Sequence, residues 1–438
     1  MWGFAQIFGP NAFAGHTLIF LIHLVNGALV YVLARLLFAK YNIFDPTNTL
    51  ALAVSAFFLL WTRSTFAVWW FSAMYDLLVV LFGVLFLIFS FKIENAKSTL
   101  QSVLYSLFGI TSLLLALRSK EASLLLPFCL VALQIWSKHK SGSRVFFWHQ
   151  GISVLISVSF LALLISLKLQ QPSFFAGSEP YAMSFEFSTL AQNSLRFAYS
   201  YLSPFEVGLN FQSFSVKGLA VVAGWGMLTL LTIKQTPRLT AMLISLFASF
   251  FLILAPTLPL IHTQSKLYLY FPSVFGSILI VVRLHELCKI CMRRMKASRF
   301  SSRLGTSKII SRFISKLGKN ISSGSLTFLL VLGLTLFARF LPQAQADIRW
   351  WLETGKQAKT TWESLGQLGS VKPEDHFIIH GTEGHTHSFL YGPGDVIRLK
   401  YMEPNILVEL GEEKDSTDSG DVNIRHLYYL PNGEITID

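Results

Sequence analysis

Charged residues at the borders of long apolar runs are the strongest candidates for chemistry in this sequence. Arg118, Lys120 and Glu121 separate two such runs, Asp76 follows an aromatic stretch at the start of another, and Lys266 precedes a further one. Ionisable groups within or beside membrane-spanning segments are costly to desolvate, so each is a functional candidate. Fixed cations at a water-poor interface can hold a lipid phosphate while a bond to that phosphate breaks. These residues therefore predict a lipid-phosphate site.

The same residues also have structural interpretations. Arg118, Lys120 and Glu121 could form one interfacial ion network that tethers a helical hairpin. Asp76 could cap a helix or pair within the bundle, and Lys266 could extend its ammonium group from a helix end to the interface. Both interpretations stay open at the level of sequence.

The histidine and cysteine patterns do not predict a metal site. The first predicted span carries His16, His23 and Asn26 on one face, where hydrogen bonding between helices is their expected role. Four histidines lie within twelve positions of the tail: His376, His380, His385 and His387. Their spacing is irregular and no cysteine accompanies them, so we expect no metal. A single Cys-x-x-Cys pair, Cys288 and Cys291, is a weak signal for zinc without a second pair.

The composition is that of a membrane protein. Of the 438 residues, 53% are hydrophobic and 14% are charged, whereas soluble domains carry about 25% charged residues. Such a chain cannot cover its surface in water, so the apolar excess is expected to face membrane lipids. The net charge of +12 could indicate nucleic acid, but the placement of the basic residues favours a membrane topology instead.

Ten apolar runs are long enough, or nearly so, to cross a hydrocarbon core of about 30 Å. They cover 17–38, 48–61, 73–91, 99–117, 122–136, 147–168, 216–233, 239–258, 269–287 and 325–341. The second and fifth are short, and Pro127 in the fifth predicts a bend. Residues 1–341 are therefore predicted to form an all-α polytopic membrane bundle of about ten transmembrane helices.

The tail, residues 342–438, is predicted to be a small α+β domain. A polar, Trp-containing helix is expected near 349–368. Short alternating runs separated by Gly and Pro follow it, which is typical of strands. These runs are 377–380, 396–401, 406–410 and 426–430.

Lysine and arginine placement predicts the orientation in the membrane, because short cytoplasmic loops accumulate them. One set of alternate connections holds twenty of these residues, eleven of them in the stretch 283–319, and the other set holds seven. We therefore expect both termini and the C-terminal domain outside the cell. Because the sequence shows no retention or organelle signal, we expect a multi-pass protein of the bacterial inner (plasma) membrane. Only about 16 residues precede the first span of this N-out topology, so we expect an upstream segment to be missing.

The order of these motifs resembles the GT-C superfamily of membrane glycosyltransferases, in particular its protein O-mannosyltransferase-like and TMTC-like members. The matching stretches are Phe8-Gly9-Pro10-Asn11-Ala12-Phe13, then His16, His23 and Asn26, then Tyr75-Asp76-Leu77-Leu78, Ser119-Lys120-Glu121 and Tyr268-Leu269-Tyr270-Phe271-Pro272-Ser273. The resemblance covers about 360 residues. It implies transfer of a sugar from a polyprenyl-phosphate donor to an acceptor at the outer face of the membrane, with no other cofactor.

The resemblance also implies roles for the charged residues. Lys120, Arg118 and Lys266 would hold the lipid phosphate, Arg196 of the outer loop would assist, and Asp76 and Glu121 would orient them. The catalytic residue stays unknown, because the acidic base of such enzymes lies in the first outer loop, which would precede Met1 here. The chain is also divergent: Trp61-Thr62-Arg63-Ser64-Thr65-Phe66 stands where relatives have His-Pro-x-His-Thr-Glu, and Met74 where they have Arg.

Two other functions compete with the transferase. The lost polar groups favour a non-catalytic binding or scaffold protein derived from the GT-C fold, with the tail as its partner-binding module. A flippase or transporter would need charged residues near the middle of the membrane, whereas those found here lie at the ends of spans.

Overall fold

A computed structural model describes a defined part of the chain. The described residues are 12–41, 48–61, 67–68, 73–135, 144–169, 183–202, 223–224, 226–227, 237–260, 266–297, 349, 353, 356–357, 359–367, 376–380, 407–410, 424–430 and 434–437. The chain divides into two compact units, Met1–Arg339 and Phe340–Asp438. The domain boundary predicted between 341 and 342 falls outside the described residues.

The first unit is helical. Its helices are α1 (Ala12–Tyr41), α2 (Asn48–Leu60), α3 (Met74–Glu94), α4 (Thr99–Ser119), α5 (Leu126–Ile135), α6 (Arg144–Leu169), α7 (Phe187–Leu202), α8 (Pro237–Leu254) and α9 (Pro272–Ala297). Short 3₁₀ helices cover Glu121–Leu125, Ala255–Thr257 and Lys266–Leu269. The Ser98 hydroxyl caps α4 by accepting a hydrogen bond from the Gln101 backbone N–H at 3.2 Å.

Within the described residues, five helical stretches are long and apolar enough to cross a membrane. They are Phe13–Tyr41, Met74–Glu94, Thr99–Ser119, Arg144–Leu167 and Arg238–Thr257, and each coincides with a predicted span. The predicted spans 48–61 and 122–136 coincide with the shorter apolar helices Asn48–Leu60 and Glu121–Ile135. The predicted span 269–287 overlaps α9, which is not among the five. The total of about ten stays a prediction, since 325–341 and most of 216–233 lie outside the described residues.

The surface of α6 shows why this unit belongs in a membrane. Its side chains Phe147, Trp148 and Leu155 are 63%, 72% and 65% exposed. Water would make such an apolar face costly, whereas acyl chains cover it at no such cost. The structure therefore supports a membrane protein.

Polar side chains join the helices inside the bundle. The buried His149 ring of α6 lies 2.8 Å from Ser90 Oγ on α3 and 3.1 Å from Ser106 Oγ on α4. Gly109 makes room for this ring, since a Cβ there would lie 2.8 Å from His149 Cε1. Hydrogen bonds of this kind replace the missing hydrophobic force between helices in lipid.

The second unit contains a four-stranded sheet of order β2-β1-β3-β4. Its strands are β1 (His376–His380), β2 (Leu407–Leu410), β3 (Ile424–Tyr429) and β4 (Ile435–Ile437). Strand β1 pairs in parallel with β2 and β3, whereas β3 and β4 pair antiparallel. The small C-terminal sheet that the alternating runs predicted is confirmed, while the run 396–401 lies outside the described residues. Its location outside the cell stays a prediction.

A buried core lies on one face of this sheet. Alternate residues Phe377 and Ile379 of β1 and Leu427 of β3 are buried. Residues 361–365 are helical, and the Ser364 hydroxyl there accepts a hydrogen bond from the Ile435 backbone N–H at 3.0 Å. The predicted helix near 349–368 is therefore described in part and hydrogen-bonded to β4.

Candidate functional site

Asp76 and Lys120, far apart in sequence, form an ion pair. Asp76 lies in the first turn of α3, and its Oδ1 accepts a hydrogen bond from Lys120 Nζ at 2.5 Å. The side chains are 11% and 17% exposed. The two residues belong to different clusters of the sequence, with Asp76 expected to orient the cations, and the structure brings them together.

The end of α4 explains how Lys120 reaches Asp76. Lys120 leaves the helix with extended backbone angles, φ −162° and ψ 145°. Its N–H still bonds Ala116 O, and its C=O accepts from Ser123 N at 3.2 Å and Ser123 Oγ at 2.7 Å. These bonds hold the break between α4 and the following 3₁₀ helix, so the lysine side chain projects from a fixed backbone.

Aromatic side chains form a second wall beside the Lys120 ammonium group. Its Nζ lies 5.1 Å from the centre of the Tyr268 ring, a cation–π distance. The Tyr268 ring in turn makes an edge-on contact with Phe197 of α7, with ring centres 6.4 Å apart. An ammonium group carries three N–H donors. Among the described residues, Nζ donates a hydrogen bond to Asp76, which leaves N–H donors for a further anion.

A buried hydrogen-bond network ties the helices together below this pair. The Tyr270 hydroxyl lies 2.8 Å from His23 Nδ1 and accepts a hydrogen bond from Asn26 Nδ2 at 3.1 Å. Asn26 Nδ2 also donates to the C=O of Leu77, the residue after Asp76, at 3.0 Å. His23 and Asn26 thus join helices as expected, whereas His16 is exposed. The network fixes the start of α3, and hence Asp76, against α1 and the 266–271 segment.

The other predicted site residues are not all brought together. Arg118 is exposed, and in the part of the chain described here no ion pair joins it to Glu121. Glu121 is also exposed, and its carboxylate interacts electrostatically with Asp76. The side chain of Lys266 lies outside the described residues.

Arg196 points part of its guanidinium group into the protein. Its Nη1 donates to Asn193 Oδ1 at 3.4 Å, while its buried Nε has no hydrogen-bond partner within the described chain. Arg196 directly precedes Phe197, which contacts Tyr268. It is therefore carried by the helix that borders the Lys120 site.

An apolar crevice opens between α7, α8 and α9. Its lining includes Tyr201, Leu246, Phe250 and Gly276. The Tyr201 hydroxyl forms a hydrogen bond with Ser277 Oγ, 3.2 Å away. The Tyr201 ring packs against Gly276, where an added Cβ would lie 2.3 Å from the ring. Tyr201 is one helical turn from Phe197, so the crevice begins close to the aromatic wall of the site.

Sequence reasoning missed a second lysine–carboxylate cluster at the other end of α3. Lys40 Nζ donates to both oxygens of Glu94 at 2.7 and 2.8 Å, and Gln134 Nε2 donates to Glu94 Oε1 at 2.7 Å. Gln150 Nε2 in turn donates to Gln134 Oε1. The polar Glu94 and Gln134 at the ends of apolar runs were the signal that could have revealed it.

Sequence reasoning also missed His426, which lies against one of the tail histidines. His380 Nε2 is 2.9 Å from His426 Nδ1, and the two rings stack with centres 5.2 Å apart. His385 and His387 lie outside the described residues. Within the described ranges, no three His, Cys, Asp or Glu side chains come together as metal ligands would.

Comparison with known proteins adds no family assignment. No family model, curated protein or solved structure matches this chain.

Proposed function

We propose that this chain is a membrane glycosyltransferase that moves a sugar from a polyprenyl-phosphate donor to an acceptor at the outer face of a bacterial inner membrane. The observation that carries the proposal is the Lys120 ammonium group. It is held by the ion pair with Asp76 and faces the Tyr268 ring. Its other N–H donors can bind a phosphate oxygen. A phosphate bound there would receive charge-assisted hydrogen bonds in a water-poor site, where they are strongest.

The proposed chemistry breaks the bond between the sugar's anomeric carbon and a phosphate oxygen. The acceptor oxygen forms the new bond to that carbon, and the polyprenyl phosphate leaves with the electron pair. Lys120 stabilises the negative charge that develops on the leaving oxygen, as a fixed cation does in other transfer reactions. Asp76 and Glu121 orient the lysine, and Arg196 supplies a further donor from α7. We assign no residue as the base that takes the acceptor proton.

The apolar crevice supports a lipid-linked donor rather than a soluble one. It is lined by apolar atoms of Tyr201, Leu246 and Phe250 and lies one turn of α7 from the aromatic wall. Isoprenoid units would bury apolar surface there, with a gain of about 25 cal/mol per Å². The phosphate would then lie beyond the Tyr201 end of the crevice, on the side of Phe197 and the Lys120 site.

Sugar transfer tests the proposal directly. Purified protein in liposomes would be given radiolabelled polyprenyl-phosphate sugar and membrane acceptors, with Lys120→Gln as the site variant and Lys120→Arg as the conservative one. We expect transfer by the native chain, loss with Lys120→Gln and partial activity with Lys120→Arg. Transfer that is equal in all three would remove the site from the reaction.

A non-catalytic lipid-phosphate-binding protein is the second candidate. One observation favours it: Asp76, the carboxylate that reaches Lys120, forms an ion pair with it and so serves to orient the lysine rather than to act as a catalytic base. This function predicts that polyprenyl phosphate binds, that Lys120→Gln weakens the binding, and that no sugar moves under any condition. Binding and transfer measured on the same preparation separate the two candidates.

The orientation has its own test, because both functions require the site to face outwards. Glu121 and Arg238 are exposed and lie in connections predicted to be on opposite sides of the membrane. A cysteine introduced at Glu121, with Cys288 and Cys291 replaced by serine, should react with an impermeant maleimide on intact spheroplasts. A cysteine at Arg238 should react only after lysis. The reverse pattern would invert the topology and place Lys120 inside.

A further inference from the structure

Arg283 of α9 is a buried cation with two nitrogens that lack a hydrogen-bond partner among the described residues. The residue is only 2% exposed. The two nitrogens are Nε and Nη1, and both are buried. Glu286, one turn further along α9, interacts with Arg283 electrostatically. The guanidinium group therefore lies in the interior with two donor nitrogens unpaired in the described part of the chain.

Such an arrangement is costly unless a ligand completes it. Arginine stays charged in proteins, so a buried guanidinium group cannot escape the cost by losing its proton. Burying a charge without hydrogen bonds to all of its donors destabilises the folded protein, and each unsatisfied donor adds to that. His149, by contrast, has a partner for both ring nitrogens. If Arg283 served packing alone, an apolar side chain of similar volume would make the folded protein more stable.

The position of Arg283 indicates what kind of ligand would reach it. It lies about 16 Å along α9 from Pro272, in a helix that packs against α2 and α8. It is also the first residue of the basic stretch 283–319, which the sequence predicts to be cytoplasmic. Lipid phosphates of the inner leaflet and soluble anions of the cytoplasm both approach from that side.

We propose that Arg283 is the core of an anion site that binds a phosphate group. A planar guanidinium fork presents parallel N–H donors at the spacing of two phosphate oxygens, which a lysine cannot reproduce. The phosphate belongs either to the headgroup of an anionic phospholipid or to a soluble phosphate. This site is separate from the Lys120 site and does not depend on sugar transfer.

Thermal unfolding of the full chain in lipid nanodiscs tests the proposal. Wild-type protein and the Arg283→Met variant would be placed in phosphatidylcholine alone, in phosphatidylcholine with phosphatidylglycerol, and in phosphatidylcholine with added inorganic phosphate. In phosphatidylcholine alone we expect Arg283→Met to have the higher Tm, because it removes a buried guanidinium group with two unpaired donor nitrogens. An added phosphate source should raise the Tm of the wild type, and the variant should need at least about thirtyfold more of it for the same rise.

The identity of the effective addition distinguishes the two sources. A rise with phosphatidylglycerol only assigns the site to a phospholipid headgroup, and a rise with inorganic phosphate assigns it to a soluble phosphate. Arg238→Met is the matched control, since Arg238 is an exposed arginine on α8, and it should keep the wild-type response. Arg283→Lys keeps the charge but loses the parallel N–H donors of the guanidinium group, so it should give an intermediate response. It also provides a test if Arg283→Met does not fold.

Two results would overturn the proposal. If Arg283→Met unfolds at a lower temperature than the wild type in phosphatidylcholine alone, the guanidinium group has a partner within the chain. If neither addition raises the Tm of the wild type more than that of both Arg283 variants, the group binds no phosphate.

Discussion

The two ends of helix α3 carry the same pair of chemical groups in different environments. At its first turn Asp76 accepts one hydrogen bond from Lys120, whose side chain is 17% exposed and faces Tyr268. At its last turn Glu94 accepts two hydrogen bonds from Lys40, whose side chain is 7% exposed, and a third from Gln134. We call the first the Lys120 cluster and the second the Lys40 cluster.

The two clusters differ in how many of their hydrogen-bond donors and acceptors are bonded within the protein. The Lys40 cluster continues through Gln134 to Gln150, so two ammonium donors and both Glu94 oxygens are bonded among the described residues. In the Lys120 cluster, the ammonium group has N–H donors that are not bonded to the described residues. The cluster borders an aromatic wall and an apolar crevice. A saturated ion pair holds helices together, whereas an unsaturated one beside an apolar surface can take a ligand. The following predictions test that distinction, beginning with the largest effect.

Breaking the Lys40 cluster should cost the most stability. Glu94→Gln leaves the Lys40 ammonium group buried without its counter-charge, and we expect the free energy of unfolding to fall by about 3–5 kcal/mol. Chemical unfolding in detergent micelles, followed by circular dichroism, measures the change. The control is Glu363→Gln, which breaks an exposed pair with Lys359 at 3.6 Å and should cost less than about 1 kcal/mol. Equal losses in both variants would mean that burial does not distinguish the pairs.

Filling the space at Gly276 should disturb the crevice next to the Lys120 cluster. Gly276→Ala would place a Cβ 2.3 Å from Tyr201 Cε1, and we expect a loss of about 1–3 kcal/mol of stability. Because Tyr201 also anchors α7, binding of polyprenyl phosphate should weaken in the folded protein. Gly151→Ala is the control, since nothing lies within 4 Å of its Cβ position in α6. It should be neutral or slightly stabilising, and a Gly276→Ala protein of native stability would contradict the packing.

Removing the Tyr270 hydroxyl should loosen the support of the Lys120 cluster. Tyr270→Phe takes away the partner of His23 Nδ1 and one of the two acceptors of Asn26 Nδ2. Hydrogen bonds between membrane helices contribute about 0.6 kcal/mol each, so we expect a loss of about 1 kcal/mol in thermal or chemical unfolding. Tyr75→Phe, at an exposed tyrosine of α3, provides the comparison and should behave as the wild type. A larger loss at Tyr75 would refute the network.

Neutralising Asp76 should have the smallest effect on the Lys120 cluster. Asp76→Asn removes the charge that orients Lys120 but keeps a side-chain oxygen that can accept from Nζ, so we expect polyprenyl phosphate to bind several-fold more weakly, a loss of about 1 kcal/mol. Microscale thermophoresis in detergent can resolve that change. Tighter binding would show instead that Asp76 competes with the phosphate for the lysine.

The sequence predicted the helices better than it predicted the site. Long apolar runs are sufficient to predict α1, α3, α4, α6 and α8, because only helices satisfy their backbone hydrogen bonds in lipid. The short strands of the second unit were predicted at 377–380, 406–410 and 426–430, close to their observed bounds. The parallel pairing of β1 with β2 and β3 was not predictable, because alternation within a strand carries no information about its neighbours.

The pairing within the Lys120 cluster was out of reach for a related reason. Asp76 and Lys120 were both predicted site residues, but they are 44 positions apart. Their contact depends on how α3 packs against α4 and on the extended backbone at Lys120. The role of Tyr268 as a ring beside the ammonium group depends on the same packing. Charge and spacing identify candidates, while helix packing decides which of them meet.

One measurement tests most directly whether the unsaturated cluster binds ligand and the saturated one does not. Equilibrium binding of polyprenyl phosphate would be measured for Lys120→Gln and Lys40→Gln side by side, with each value corrected for the folded fraction. We predict that Lys120→Gln weakens binding by at least about tenfold, or about 1.4 kcal/mol, and that Lys40→Gln lowers stability but leaves the Kd unchanged. An equal loss of affinity in both variants, or none in Lys120→Gln, would contradict the distinction between the two clusters.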